Sequence, residues 1–335
     1  MARLSLNLLL GAVVLIALLL LSTAYGTTAI PAPDVVHAVL LGLGLTEGEA
    51  APVHRIVFEL RLPRALFAAV IGAGLGIVGV VLQTTTRNDL ADPFLFGLSS
   101  GAAAGAVFVI TVTGDILGFW TLPVAAFTGG IIASAIVLSL VHSLRTSAPE
   151  KLILAGLAVS FLFAAITNYL IFAGDSRAAH SVIFWMLGGL GLARWDSFPL
   201  VCAGLLLIFA YTAYRARWLD ALLTGDVTAS TLGVPVQRLR FSMFFIAALA
   251  TAVFVSVAGV IGFVGLMVPH IARGMVGPLH RNLIPTSAII GAALLTGSDI
   301  VSRVILAPQE LPVGIVTTSI GALFVFLLLY RTAKS

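Results

Sequence analysis

Charged residues are confined to short intervals of this 335-residue chain. A charge at the bilayer centre costs about 2.5 to 3.5 kcal/mol on insertion scales, and a helix needs about 20 apolar residues to cross the hydrocarbon. The chain has nine segments of 17 to 32 residues without Asp, Glu, Lys or Arg: 4–33, 65–86, 93–114, 116–144, 152–174, 197–214, 241–272, 282–298 and 311–330. This pattern predicts an all-α polytopic membrane protein, and 60% hydrophobic with 10% charged residues is not the composition of a soluble domain.

Ten transmembrane helices follow from these nine segments. Segment 241–272 is too long for one span and contains the Gly and Pro residues of a reversal in "AGVIGFVGLMVPH", so we divide it. The run 178–193 is shorter and rich in Gly, and we expect a re-entrant or surface helix in the outer interval 175–194. With both termini in the cytoplasm, 12 Lys and Arg residues lie inside and 6 outside, as the positive-inside rule favours.

The whole chain, 1–335, is predicted to form one transmembrane domain, because its longest polar intervals are only 34–64 outside and 215–240 inside. A cleaved signal peptide is an alternative for the first apolar run, but that run is long for a signal and further spans follow, which favours a retained helix. The single cysteine, Cys202, lies in a predicted span and excludes an intramolecular disulfide framework.

Several classes of chemistry lack their sequence signatures. A phosphate-binding G-x-x-x-x-G-K-[ST] loop is missing, since neither of the two lysines, Lys151 and Lys334, follows the required glycines. The six histidines have no metal-ligand spacing, and no serine, cysteine or carboxylate constellation suggests catalysis. We therefore expect no enzyme activity, no metal site and no cofactor in this chain.

Small residues recur at helical spacing on three spans. Gly72, Gly76, Gly79 and Gln83 lie on one face of the second span, which predicts close contact with a neighbouring helix. Two further faces carry hydroxyl groups and could either pack closely or line a pathway: Gly156, Ser160 and Thr167 on the fifth span, and Gly314, Thr317 and Gly321 on the tenth. In "GSDIVSR", Asp299 precedes Arg303 by four residues, a spacing that predicts a local ion pair.

Three motifs carry a resemblance to a known family: "RLPRALFAAVIGAGLGIVGVVLQTTTRNDLADPFLFGLSSGAAAG", "GVIGFVGLMVPHIARGMVGPLHR" and "GSDIVSRVILAPQELPVGIVTTSIGALF". From about Arg61 to Leu329 the chain resembles the permease subunits of type II ABC importers for iron-siderophore complexes, haem and cobalamin. One departure is Asp89, where the family commonly has proline. The resemblance implies a ten-helix subunit that pairs with a second copy around a central path in the bacterial inner membrane. Two cytoplasmic ATPase subunits would bind ATP and Mg, and a periplasmic binding protein would deliver the substrate.

The resemblance also implies roles for individual residues. Arg61, Arg64 and Arg303 match arginines that bind acidic residues of the binding protein, and anchoring at lipid headgroups is the alternative. The inner interval matches coupling helices that contact the ATPase, although it could instead rest on lipid. Its candidate contacts are Leu222, Leu223, Gly225, Asp226 and Leu232. The turn 144–151 matches a cytoplasmic gate, with Thr146 and Ser147 as candidate constriction residues.

The predicted function is import of a metal chelate, with ferric siderophore placed first and haem or cobalamin as alternatives within the same family. An ion-coupled secondary carrier and a purely structural membrane subunit are the competing classes. A carrier usually keeps acidic or histidine side chains within its spans, and this chain has few.

Overall fold

The computed structural model describes residues 2–26, 28, 30–47, 51–143, 149–175 and 178–332. Within these residues the fold is entirely helical. Its α-helices are α1 (Ala2–Ala24), α2 (Ala32–Gly42), α3 (Pro52–Arg55), α4 (Leu62–Thr86), α5 (Leu98–Phe108), α6 (Thr121–Ser143), α7 (Pro149–Ala173), α8 (Ala178–Met186), α9 (Phe198–Tyr214), α10 (Ala216–Leu222), α11 (Asp226–Thr231), α12 (Val236–Ala258), α13 (Val264–Val276), α14 (His280–Val304) and α15 (Val313–Thr332). A π-helical segment, Ile56–Arg61, joins α3 to α4, and another, Val109–Thr113, extends α5.

Each predicted span coincides with an apolar helix. Eight helical segments in the described part of the chain are long and apolar enough to cross a membrane, and they include α1, α4, α6, α7, α9, α12, α14 and α15. The other two spans are the shorter apolar helices Leu98–Thr113 and Val264–Val276. At 1.5 Å per residue these two cover only about 24 and 20 Å. Before the first of them, residues 91–93, 96 and 97 are buried, and before the second, residues 259–263 are buried or half-buried, as irregular backbone at membrane depth requires.

The predicted break inside segment 241–272 is confirmed. Helix α12 ends at Ala258, Gly259 follows with φ of 65°, and α13 begins at Val264. Helix α8 has nine residues, too few to cross the hydrocarbon. Its end is joined to this break by a hydrogen bond from the backbone N–H of Gly189 to the carbonyl oxygen of Ala258, 2.8 Å long.

Helix α4 is the centre of the molecule and packs against α9, α12, α13 and α14. A Cβ atom added at Gly72 would overlap the carbonyl oxygen of Gly291 in α14, and one at Gly79 would overlap that of Gly265 in α13. Backbone therefore meets backbone along this face, and the close packing predicted from the glycine spacing is confirmed. Because 83% of its span is buried, α4 is shielded from lipid over most of its length.

Candidate functional site

Two polar clusters lie at opposite ends of α4 and α14. The cluster predicted to be on the outer side contains Arg61, Arg64, Asp299, Arg303 and Glu310. The cluster predicted to be on the inner side surrounds the end of α4 and includes residues of α10, α11 and α12. Helix α4 has 25 residues, so about 37 Å separates its two ends.

Arg61 and Arg303 hold the end of α1. The guanidinium of Arg61 donates hydrogen bonds to the carbonyl oxygens of Ala24 and Thr28, at 2.8 and 2.6 Å. That of Arg303 donates to the carbonyl oxygens of Ser22 and Tyr25, at 3.0 and 2.9 Å. Two cations thus bind carbonyl groups at and just beyond the end of α1 and oppose the negative end of its dipole.

Asp299 lies between two arginines and is fully buried. Its Oδ1 accepts a hydrogen bond of 2.9 Å from Nε of Arg64. Its Oδ2 lies 3.0 Å from Nη2 of Arg303, which confirms the predicted ion pair, although the two groups are not aligned as a hydrogen bond. A buried carboxylate needs such compensation, because desolvation would otherwise cost several kcal/mol.

Arg64 connects this buried pair to the surface. Its Nη1 donates a 2.7 Å hydrogen bond to Oε2 of Glu310, whose side chain is 41% exposed against 14% for Arg64. The structure therefore brings the three predicted docking arginines together, but Arg61 and Arg303 are buried and use their donors inside the subunit. Sequence reasoning missed Glu310 as a partner of Arg64, from which 246 residues separate it. It also missed the contact of Arg61 and Arg303 with the end of α1, which is distant from both in sequence.

The inner interval is a platform formed by α10 and α11. The prediction that Leu222 contacts the ATPase is wrong, because its side chain is buried in the core. Leu223 and Leu232 are exposed, and Gly225 makes the turn between the two helices with φ of 113°. Val227, which the sequence did not single out, is 80% exposed.

Asp226 faces the protein on one side. Its two carboxylate oxygens accept hydrogen bonds of 2.8 and 2.9 Å from Nη1 and Nη2 of Arg240. Nη2 of Arg87 lies 3.0 Å from its Oδ1. The predicted ATPase-contact residue is therefore engaged by two arginines of its own chain.

Asp220 fastens α10 to α14. It accepts hydrogen bonds from the backbone N–H and ring Nδ1 of the buried His280, at 2.9 and 2.7 Å, and Nε2 of that ring lies 2.9 Å from the Thr84 hydroxyl. Burial raises the pKa of the Asp220 carboxyl, but the hydrogen bonds and Coulombic attraction of His280 together lower it by more, so the pKa lies below the ordinary 3.8. Nearby, Asp89 pairs with Arg273 at 3.0 Å, which gives the acid at the family's proline position a partner.

A largely apolar cavity of about 660 Å³ opens between the end of α8, the α12–α13 connection and α15. Gly314 lines it, and so do the hydroxyl residues Thr318 and Ser319. The prediction that Thr317 lines a pathway is wrong. Thr317 is buried, and its hydroxyl donates a hydrogen bond to the carbonyl oxygen of Gly314. The next two residues, Thr318 and Ser319, place their hydroxyls at the cavity. The residue spacing alone did not determine which of these neighbouring positions on α15 faces the cavity.

The remaining predicted lining residues pack within the subunit. Gly156 and Thr167 are on the buried face of α7, Ser160 is half-buried, and Gly321 meets the ring of Phe263. Thr146 and Ser147 lie outside the described residues. Among the residues that the structure describes, no group of three or more His, Cys, Asp or Glu could hold a metal ion.

A polytopic, all-helical subunit with glycine-packed central helices and a polar cluster at each end is an architecture that membrane permeases use, among other membrane proteins. Residues 14–331 match the model of the FecCD transport family. The chain belongs to that family, and it is the permease subunit of an ABC importer.

Named relatives and a solved structure agree with this membership. The chain is 40% identical to the cobalamin import system permease protein BtuC of Halobacterium salinarum, over 90% of this chain and 79% of the relative. It is 37% identical to the Fe(3+) dicitrate transport system permease protein FecD of Escherichia coli, over 86% of this chain and 89% of the relative. A structure described as an inward-facing ABC transporter of the metal-chelate type superposes with a TM-score of 0.83 and 28% identity, covering 97% of this chain and 98% of the other.

Proposed function

We propose that this chain forms a homodimeric permease that imports a bulky metal chelate across the cytoplasmic membrane, the inner membrane where a cell has two. Two separate ATPase subunits, which bind ATP and Mg, drive the cycle at the α10–α11 platform, and a substrate-binding protein delivers the chelate at the outer cluster. The observation that carries this proposal is the arrangement of two polar clusters at opposite ends of a buried central helix in a FecCD-family chain.

The substrate class follows from the relatives and the cavity. Relatives of similar identity are named for cobalamin and for ferric dicitrate. The cavity has mostly apolar lining residues, with two hydroxyls and the single carboxylate of Asp92. One carboxylate does not make a coordination set, so this lining suits weak contact with a large chelate more than tight coordination of a free ion. We place a ferric siderophore first and keep haem and cobalamin as alternatives.

The docking role of Arg64 is supported by its partial exposure and its contact with the exposed Glu310. A guanidinium is also a group that can bind a carboxylate bidentately. Arg61 and Arg303 support docking indirectly, by fixing the end of α1 beside Arg64. Exposed charges at such a surface raise the association rate more than the affinity.

Reconstitution tests the proposal. Proteoliposomes containing the permease with its ATPase should take up radiolabelled ferric citrate, ferric hydroxamate, haemin or cobalamin from the cognate binding protein, and vanadate should stop this uptake. Uptake by the permease alone, abolished by an uncoupler, would identify an ion-coupled carrier instead. No ATP-dependent uptake of any of the four probes would leave only a structural role.

A further inference from the structure

Asp226 is the first residue of α11, and the guanidinium of Arg240 contacts its carboxylate from the side of α12. Arg240, in α12, is itself almost fully buried and donates to both carboxylate oxygens. Its Nε donates a further hydrogen bond of 2.9 Å to the carbonyl oxygen of Thr85, in the last turn of α4. A single planar group therefore connects α11, α12 and α4, in the bidentate geometry that only arginine provides.

A second arginine closes the same contact from the end of α4. Arg87 adopts a left-handed conformation, with φ of 50°, which ends the helix and turns its side chain towards the platform. Its Nη2 lies 3.0 Å from Asp226 and donates to the carbonyl oxygen of Leu222, the last residue of α10, at 3.3 Å. The ends of α4 and α10 and the start of α11 thus share one set of contacts.

Helix α10, the other helix of the platform, is connected to Thr84 of α4. The hydroxyl of Thr84 contacts the His280 ring, which contacts Asp220 in α10. Thr84, Thr85 and Arg87 together fasten both platform helices to the final turn of α4. The apolar side chains of Leu223, Val227 and Leu232 remain exposed on the platform.

We propose that Asp226 is a positioning residue: with Arg240 and Arg87 it clamps the platform to α4 and α12. A movement imposed on the platform by the ATPase is then passed through these two helices to α13 and the α12–α13 connection, which line the cavity. Exposed Leu223, Val227 and Leu232 supply the contact with the ATPase. This inference rests on the proposed function, because it takes the platform as the ATPase-facing surface. It assigns binding of the ATPase to the exposed apolar residues, and transmission of the movement to Asp226 and its two arginines.

The experiment uses the full complex in nanodiscs and needs no substrate. A cavity reporter, Thr318→Cys, is placed in a Cys202→Ser background, and its maleimide-labelling rate is measured with and without ATP and vanadate. Association of the permease with the ATPase is measured in parallel. The variants are Asp226→Asn, which removes the charge, Asp226→Glu, which restores it, and Leu232→Ser, the matched variant on the exposed surface.

We expect Asp226→Asn to retain ATPase association while its nucleotide-dependent change in labelling falls on the order of tenfold, and Asp226→Glu to recover part of that response. Leu232→Ser should weaken association instead. If Asp226→Asn chains do not fold, Arg87→Ala, on the more exposed side of the clamp, should show the same loss of response to a smaller degree.

Two results would overturn the inference. One is an Asp226→Asn complex that responds to nucleotide as fully as the parent. The other is a loss of ATPase association that accounts for the whole defect, which would make Asp226 a contact residue. Failure of the proposed function looks different, because the parent reporter chain itself would then show no response to ATP and vanadate.

Discussion

The three arginines of the outer cluster differ in the acceptors that their guanidinium groups bind. Arg303 is buried beside Asp299 and also donates to two carbonyl groups of the α1 end. Arg61 is buried too, so a charge reversal there would disturb α1 before it could report on docking. Arg64 also binds the buried Asp299, but of the three arginines it is the one that reaches the partly exposed Glu310. A docking experiment can be interpreted at Arg64 once thermal unfolding has shown that the variant is folded.

Removing Arg303 should destabilise the fold. In Arg303→Ala, the buried Asp299 loses one of its two cations, and the carbonyl oxygens of Ser22 and Tyr25 lose their donor. We expect the free energy of unfolding to fall by about 3 to 5 kcal/mol, the usual cost of breaking a buried pair. Thermal unfolding in detergent measures it, and Arg281→Ala, at an exposed position of the same helix, should be nearly neutral. Equal effects of the two variants would contradict this assignment.

Glu310 should compete with the binding protein for Arg64. Because Glu310 occupies one side of the Arg64 guanidinium, Glu310→Gln frees a cation for an incoming carboxylate. Surface plasmon resonance with the cognate binding protein should show faster association, by a factor of about 3 to 10, that disappears at high salt. Arg64→Gln should slow association, and an unchanged rate in both variants at low salt would remove Arg64 from the docking surface.

Individual elements are positioned by backbone contact at the centre and by side chains at the platform. Along α4 the glycines allow α13 and α14 to approach until main chains touch. The close approach was predictable from sequence, because glycines spaced three or four residues apart lie on one face of a helix and leave that face without side chains. The identity of the neighbouring helices was not, since Gly291 and Gly265 are distant in sequence.

Gly79→Ala should disrupt the contact between α4 and α13. The added methyl group overlaps the carbonyl oxygen of Gly265, so the helices must separate, at a cost of about 1 to 3 kcal/mol in unfolding free energy. Gly274→Ala is the matched control, because no atom outside its own helix lies within 4 Å of the added carbon, and it should be neutral or slightly stabilising. Thermal unfolding of both variants in detergent tests the difference, and similar losses would count against close packing.

Asp220→Asn should loosen α10 in a pH-dependent manner. The pKa of Asp220 is lower in the folded chain than its ordinary value of 3.8, so its contribution to stability is complete above pH 3.8 and is lost as pH falls through the folded value. We therefore expect the variant to be less stable than the parent at pH 7 by about 1 to 3 kcal/mol. The difference, followed by hydrogen exchange of α10, should shrink in acid; a gap that is constant with pH would contradict it.

The whole molecule leaves its cavity open on one side. Thr318 and Ser319 lie on the face of α15 that lines the cavity, and hydroxyl groups facing lipid tails would be unfavourable. A second copy of the chain against α15 would cover them and enclose the pathway, in agreement with the proposed two-fold dimer. Light scattering of the detergent-purified permease should give the protein mass of two chains, and a strictly monomeric permease that still supports ATP-driven uptake would contradict the dimer.

The position of the spans and the membrane class could be derived from the sequence, because the transfer of a segment into hydrocarbon depends on its own composition. The Asp299–Arg303 pair could also be derived, as both residues lie on one helix turn. The burial of Leu222, the inward carboxylate of Asp226 and the rotation that places Thr318 rather than Thr317 at the cavity were decided only by tertiary packing. The physical reason is the separation of the partners along the sequence. Arg64 and Asp299 are 235 residues apart in the chain, and such contacts form only when the helices have assembled.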